Sequence, residues 1–170
     1  MDVYEAIKAR RSVRAYQDKP VPDEVLDRIL EAARWAPSAR NLQSFKLVVV
    51  RDPEVRKRHG VAADDQAFVG QAPVVIASVT SDPDRVMSCE VPPYAVDTAI
   101  AMDHLTLAAA SEGLGTCWIG AFSQPKVCEI LSVPDTHKVV SLMPLGYPAD
   151  TEAPRTRKAK SELICTDRFE

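Results

Sequence analysis

A chain of 170 residues with 46% apolar content has the length of one domain and enough apolar side chains for one sizeable core. Its 21 Lys plus Arg against 24 Asp plus Glu leave a formal charge of -3, which offers no overall field to nucleic acid or an anionic membrane. No apolar run reaches the roughly 18 residues needed to cross a bilayer, and the start MDVYEAIKARRS is the reverse of a secretory signal, so a cytoplasmic location is expected.

Val3, Ala6 and Ile7 share a face and predict a helix over residues 2–10, followed by an extended segment through Val13 and Tyr16. Asp23 is placed to cap an amphipathic helix in which Leu26, Ile29, Leu30, Ala33 and Ala36 recur at helical spacing until Pro37 stops it. Phe45–Val50 and residues 74–79 are short apolar runs rich in valine and read as buried strands. Between them, Asp52 and Pro53 form an N-cap and N1 pair for a short helix toward Gly60. Residues 95–112 are apolar nearly all round and end at Gly113, which marks a central buried helix. Residues 116–120 read as a strand, Ser123 with Pro125 opens a helix to Leu131, and residues 139–145 form a last core strand. Helices alternate with buried strands, as in an α/β or α+β sandwich. The charged tail ends in an apolar tip, Leu163, Ile164 and Cys165, suited to docking on a partner subunit.

Cys89, Cys117, Cys128 and Cys165 form no C-x-x-C pair and His59, His104 and His137 are scattered, so reduced thiols and no metal site are expected. Three segments call for a reason. In Arg10-Arg11-Ser12-Val13-Arg14 a helix end meets an extended stretch that turns Ser12 and Arg14 the same way, and guanidinium forks with a hydroxyl suit a phosphate. A solvated basic patch at a helix C-terminus explains the same residues. In residues 35–43, W-A-P-S-A-R-N-L-Q, two side-chain amides beside a tight turn could read the polar edge of a planar heterocycle, or simply serve the loop after a Pro stop. In residues 113–122, G-L-G-T-C-W-I-G-A-F, Gly113 is accounted for as a helix stop, whereas Gly120 would let the backbone approach a flat ligand. Cys117, in an apolar stretch without a neighbouring His, reads as a structural thiol.

In order along the chain, R-R-S-V-R-A-Y, A-P-S-A-R-N-L-Q-S-F, G-L-G-T-C-W-I-G-A-F, P-L-G-Y-P and R-T-R-K resemble the nitroreductase family of FMN enzymes. The resemblance implies an α+β fold, a three-layer α/β/α sandwich with a central mixed sheet, in an interlocked homodimer with FMN at the seam. Residues 1–150 would form the FMN-binding domain, and residues 151–170 a tail that completes the phosphate site and docks on the partner. Arg10 and Ser12 correspond to phosphate contacts, Arg11 to a backbone contact, and Arg14 to the cation beside flavin N1 and C2=O, which supports developing negative charge. Pro37, Ser38, Ala39 and Asn41 correspond to the segment laid on the flavin of the other subunit. Cys117 and Trp118 lead into Ile119 and Gly120, the turn whose backbone amide reaches flavin N5. Arg155 and Arg157 correspond to tail residues that close over the phosphate.

The implied activity is ping-pong transfer from NADH or NADPH to a small electron acceptor such as a nitroaromatic or a quinone, with no side chain as nucleophile. Reductive dehalogenation, or FMN binding without turnover, is the alternative. The sequence departs from the family pattern at Ser44-Phe45, where Pro-Trp is common, and it leaves little room between His59 and Gln71 for a helical insertion over the substrate cleft. Residues 86–94 match no family feature.

Overall fold

Two valine-rich runs, Phe45–Val50 (β1) and Val74–Thr80 (β2), pair antiparallel from Phe45↔Thr80 to Val50↔Val75 in the computed structural model, which describes residues 1–150 and 155–169. A two-residue strand, Gly115–Thr116 (β3), and a long one, Lys138–Gly146 (β4), complete a sheet ordered β1-β2-β4-β3. The ladders between named strands are all antiparallel, whereas a mixed sheet was expected. The reason lies in the connections: β1 leaves at Val50 and β2 enters at Val74 on the same end of the sheet, and Thr80 likewise sits opposite Lys138. Parallel pairing is confined to the isolated bridge between Ser12 and Thr116.

Alternation along the strands builds two cores. Val74, Ile76, Met143 and Leu145 face helices Asp23–Arg34 (α2) and Pro93–Ser111 (α5), meeting Leu26, Ile29, Ala33, Met102 and Leu105. Val75, Ala77, Val79, Val139 and Leu142 face Pro53–Ala62 (α3), Ala67–Gln71 (α4) and Gln124–Leu131 (α6). A three-layer sandwich results, and β2, covered on both faces, is buried throughout, which is why it reads as an unbroken apolar run. Val139 and Leu142 share a face although they lie three positions apart. A bulge makes this possible, since Ser78 pairs with Ser141 but Val79 with Val139.

Several local expectations hold. Asp52 caps α3 by accepting from Val55 N at 2.9 Å, with Pro53 at the first turn. The helix expected over residues 2–10 forms as Val3–Ala9 (α1), and its start is held by a capping box of Asp2 and Glu5 that was not anticipated. Others are corrected. Asp23 is the first residue of α2, whose cap position is Pro22 with no side-chain bond, and its carboxylate pairs instead with Arg51. The strand expected over residues 116–120 stops at Thr116, after which only Ile119 rejoins the sheet, through a bridge to Leu142. The short helix α4 was not anticipated; it packs closely on α3 because Gly70 lets it, a Cβ there falling 2.9 Å from Arg56 O. On α1 only Ala6 is buried, while Val3, Tyr4 and Ile7 stand 61%, 73% and 50% exposed.

Candidate functional site

The segment after α1 is held as an extra rim on the sheet. Val13 N donates to Thr116 O at 2.8 Å and the Val13 side chain is buried against Gly115, where an added Cβ would come within 2.3 Å of Val13 Cγ2. The Tyr16 hydroxyl donates to Val13 O at 2.8 Å and approaches Pro144 O at 3.3 Å, and burial pushes the phenol far above its ordinary range. This fixes Arg10, Arg11 and Ser12 opposite Ala99, Asp103 and Thr106 of α5. With Thr116 and Trp118 they line a cleft of about 410 Å³.

Within the basic cluster the cations divide into spent and unspent. Arg11 donates to Asp150 Oδ1 at 2.5 Å and to Asp150 O at 3.1 Å, while Asp150 Oδ2 accepts from Arg14 N at 3.2 Å. The Arg11 guanidinium thereby holds the Asp150 carboxyl below the usual carboxylate range. Arg155 donates to the carbonyls of Lys8 and Arg10, the open end of α1, which brings the tail beside the cluster. Arg157 donates to its neighbour Thr156 O at 2.7 Å. Among the described residues, the guanidinium groups of Arg10 and Arg14 make no hydrogen bond or ion pair. Ser12 and Arg14 both act on Cys117, whose thiol burial pushes up while they draw it down. Arg14 and Ser12 are thus aimed at the same edge of the sheet, and Cys117 itself is 3% exposed, a structural thiol.

Beyond Cys117 the chain turns outward. Ile119 is buried and exchanges both backbone bonds with Leu142, at 2.9 and 3.1 Å, whereas Trp118 is 44% exposed. Gly120 has open space: a Cβ there would meet only Trp118 Nε1, at 3.9 Å. The fold needs glycine at Gly115 but not at Gly120.

The segment holding Pro37, Ser38, Ala39 and Asn41 is not brought to this cluster within one chain. It leaves α2 and turns through Arg40, Asn41 and Gln43 with φ of 56°, 55° and 52°. Such left-handed residues cost about 1 kcal/mol or more each and persist where surrounding bonds enforce them. Ser38 Oγ accepts from Gln43 N at 3.0 Å, and Asp97 Oδ1, on α5, accepts from Ala39 N at 3.0 Å. Asp97 is turned inward at 7% exposure, while Ala99 and Asp103 of the same helix are exposed in the cleft, so the loop and the basic cluster attach to different sides of α5. Asp97, Asp103 and Asp150 were not singled out from sequence; each lies in an unremarkable local pattern and acquires its meaning from residues far away in the chain.

A larger cavity, about 800 Å³, opens elsewhere, between residues 17–21, α3 and α4. Its cations are committed: Arg51 to Asp23 and Val21 O, Arg56 to the carbonyls of Arg51, Gly70 and Ala72, Lys57 to Glu54, and Lys19 to the Tyr147 ring at 3.8 Å.

Comparison with known proteins agrees with the motif order. Residues 7–83 and 63–147 match the model of the Nitroreductase family. The chain is 33% identical over 173 residues to the FMN reductase [NAD(P)H] of Bacillus subtilis, covering 92% of this chain and 70% of that protein. It is 32% identical over 195 residues to an NADH dehydrogenase of Thermus thermophilus, covering 96% and 95%. Among solved structures, the NADPH:FMN oxidoreductase of Vibrio harveyi complexed with NAD+ superposes with a TM-score of 0.90 at 28% identity, covering 99% of this chain and 78% of that one. The chain belongs to the nitroreductase family.

Proposed function

We propose that this chain is an FMN-dependent oxidoreductase that passes reducing equivalents from NADH or NADPH to small oxidised acceptors such as nitroaromatics or quinones. The observation that carries the reading is the pair of guanidiniums, Arg10 and Arg14, that make no hydrogen bond or ion pair among the described residues, on either side of an exposed Ser12. This donor set fits a phosphomonoester joined to a flat ring. Arg10 and Ser12 would hold the phosphate, and Arg155, already seated on the end of α1, would close that side. Arg11 serves by fixing the rim through Asp150 rather than by direct charge. Arg14 would stand as the cation beside the polar edge of the ring, and the amide at Gly120 would face its centre. Bound flavin supplies the electron-carrying chemistry, and the protein supplies position and electrostatics.

The reading includes a homodimer in which the segment carrying Pro37, Ser38, Ala39 and Asn41 lies on the flavin of the other subunit. Exposed Val3, Tyr4 and Ile7 on α1, with Leu163 and Ile164 on the tail, supply apolar surface for such a partner. It places the protein in the cytoplasm, in keeping with the free thiols of Cys89, Cys117 and Cys128; among the described residues no helix is long and apolar enough to cross a membrane. The test is an absorption spectrum of the purified protein followed by anaerobic titration with each nicotinamide. A yellow protein bleached by NADH or NADPH is expected, whereas a colourless chain that ignores added FMN would sink the proposal.

A further inference from the structure

The loop over residues 37–43 is conformationally expensive and almost self-contained. Arg40, Asn41 and Gln43 are left-handed without being glycine, and their bonds run inside the loop: Gln43 N to Ser38 Oγ, Asn41 N to Ser38 O, and Gln43 Nε2 to Asn41 O. Among the described residues, apart from the local bond by which Phe45 N donates to Gln43 O at 2.8 Å, one hydrogen bond ties this loop to the rest of the fold, from Ala39 N to Asp97 Oδ1 at 3.0 Å. Asp97 is 7% exposed, on the same helix whose Ala99, Asp103 and Thr106 wall the cleft beside Arg10. A carboxylate buried at a cost in desolvation, and aimed at a backbone amide, makes a stronger bond than a neutral acceptor would.

We infer that Asp97 is a positioning residue, which sets the loop at Ala39 to the height at which it meets the flavin ring of the other subunit. Helix α5 then carries both reference points, the loop through Asp97 and the phosphate-side wall through Asp103 and Thr106. This rests on the cofactor reading above. It differs from a purely structural role in what it predicts: losing the bond weakens contact with the ring and leaves the grip on the phosphate alone.

The test is titration of the flavin-free protein with FMN and with riboflavin, read by flavin fluorescence, alongside the thermal midpoint of each variant. Asp97→Ala is expected to weaken both ligands by the same factor, roughly tenfold, the scale of one charge-assisted bond. Asp97→Asn, which keeps the acceptor, stays within about threefold. Ala39→Pro, which removes the donor from the loop side at a position where the preceding Ser38 is already extended, is expected to match Asp97→Ala. Arg10→Ala, by contrast, weakens FMN and leaves riboflavin unchanged. Unaltered affinities in Asp97→Ala, a loss confined to FMN, or an equal loss in Asp97→Asn would each overturn the inference. If Asp97→Ala does not fold, Ala39→Pro decides, and unchanged riboflavin binding overturns it. A wild-type chain that binds neither flavin removes the cofactor reading and this inference with it.

Discussion

Two of this molecule's cavities invert the usual relation between size and use. The larger, about 800 Å³, is ringed by Lys19, Arg51, Arg56 and Lys57, every one of them occupied with a carboxylate, a carbonyl or an aromatic ring. The smaller, about 410 Å³, has Arg10 on its wall with no partner among the described residues and Ser12 exposed beside it. Volume records where packing is loose. Uncommitted charge is what the proposed function turns to use, because a guanidinium without a partner in the fold is available to an anion.

Substitutions can break that contrast. The largest effect is expected at the small cleft: Arg10→Ala removes a charge-assisted contact of about 1.5–3 kcal/mol, so FMN affinity should fall roughly 10- to 150-fold with no change in Tm. Equal FMN affinity in the variant, by equilibrium titration, would mean that the cation is idle there too. At the large cavity the effects reverse. Arg56→Ala frees the carbonyls of Gly70 and Ala72 that fasten α4 to α3, and should cost about 1–3 kcal/mol of stability, roughly 2–4 °C in Tm per kcal/mol, with FMN binding untouched. A loss of cofactor in that variant would contradict the division drawn here.

The smallest effect sharpens the comparison through pH. His59, in α3, is buried and donates Nδ1–H to Val55 O at 2.8 Å, leaving Nε2 buried without a partner among the described residues. Burial lowers its pKa, so the unfolded chain takes a proton near pH 6.5 that the folded one refuses. Stability is therefore fully present above that pH and declines as pH falls below it, by at most about 1.4 kcal/mol per pH unit for one site. Thermal melts from pH 7.5 to 5.5 should show the decline in wild type and a shallower slope in His59→Met; parallel slopes would remove His59 as the cause.

Much of the scaffold is readable locally. The bounds of β1, the Asp52 and Pro53 start of α3, and the central helix ending at Gly113 with its φ of 74° all follow from neighbours within one or two turns. The failures are equally physical. Helix α4 is five residues long, too short for a period to appear, and β3 ends early because Trp118 turns to solvent. In the candidate site the basic residues are visible as types, but their division of labour is not. That Arg11 is neutralised while Arg10 stays free depends on Asp150, 139 positions away, and that a loop after α2 is set by Asp97 depends on a residue 58 positions on.

The parallel bridge between Ser12 and Thr116 has a further consequence for how the protein is made. The basic arm is made before what holds it, because Thr116, Tyr147, Pro148 and Asp150 all follow it far along the chain. Until they are made the arm can only wait, and contacts of such high sequence separation form late and slowly. A nascent chain halted before Asp150 would build its helices and central strands and still lack the carboxylate that fixes the basic arm.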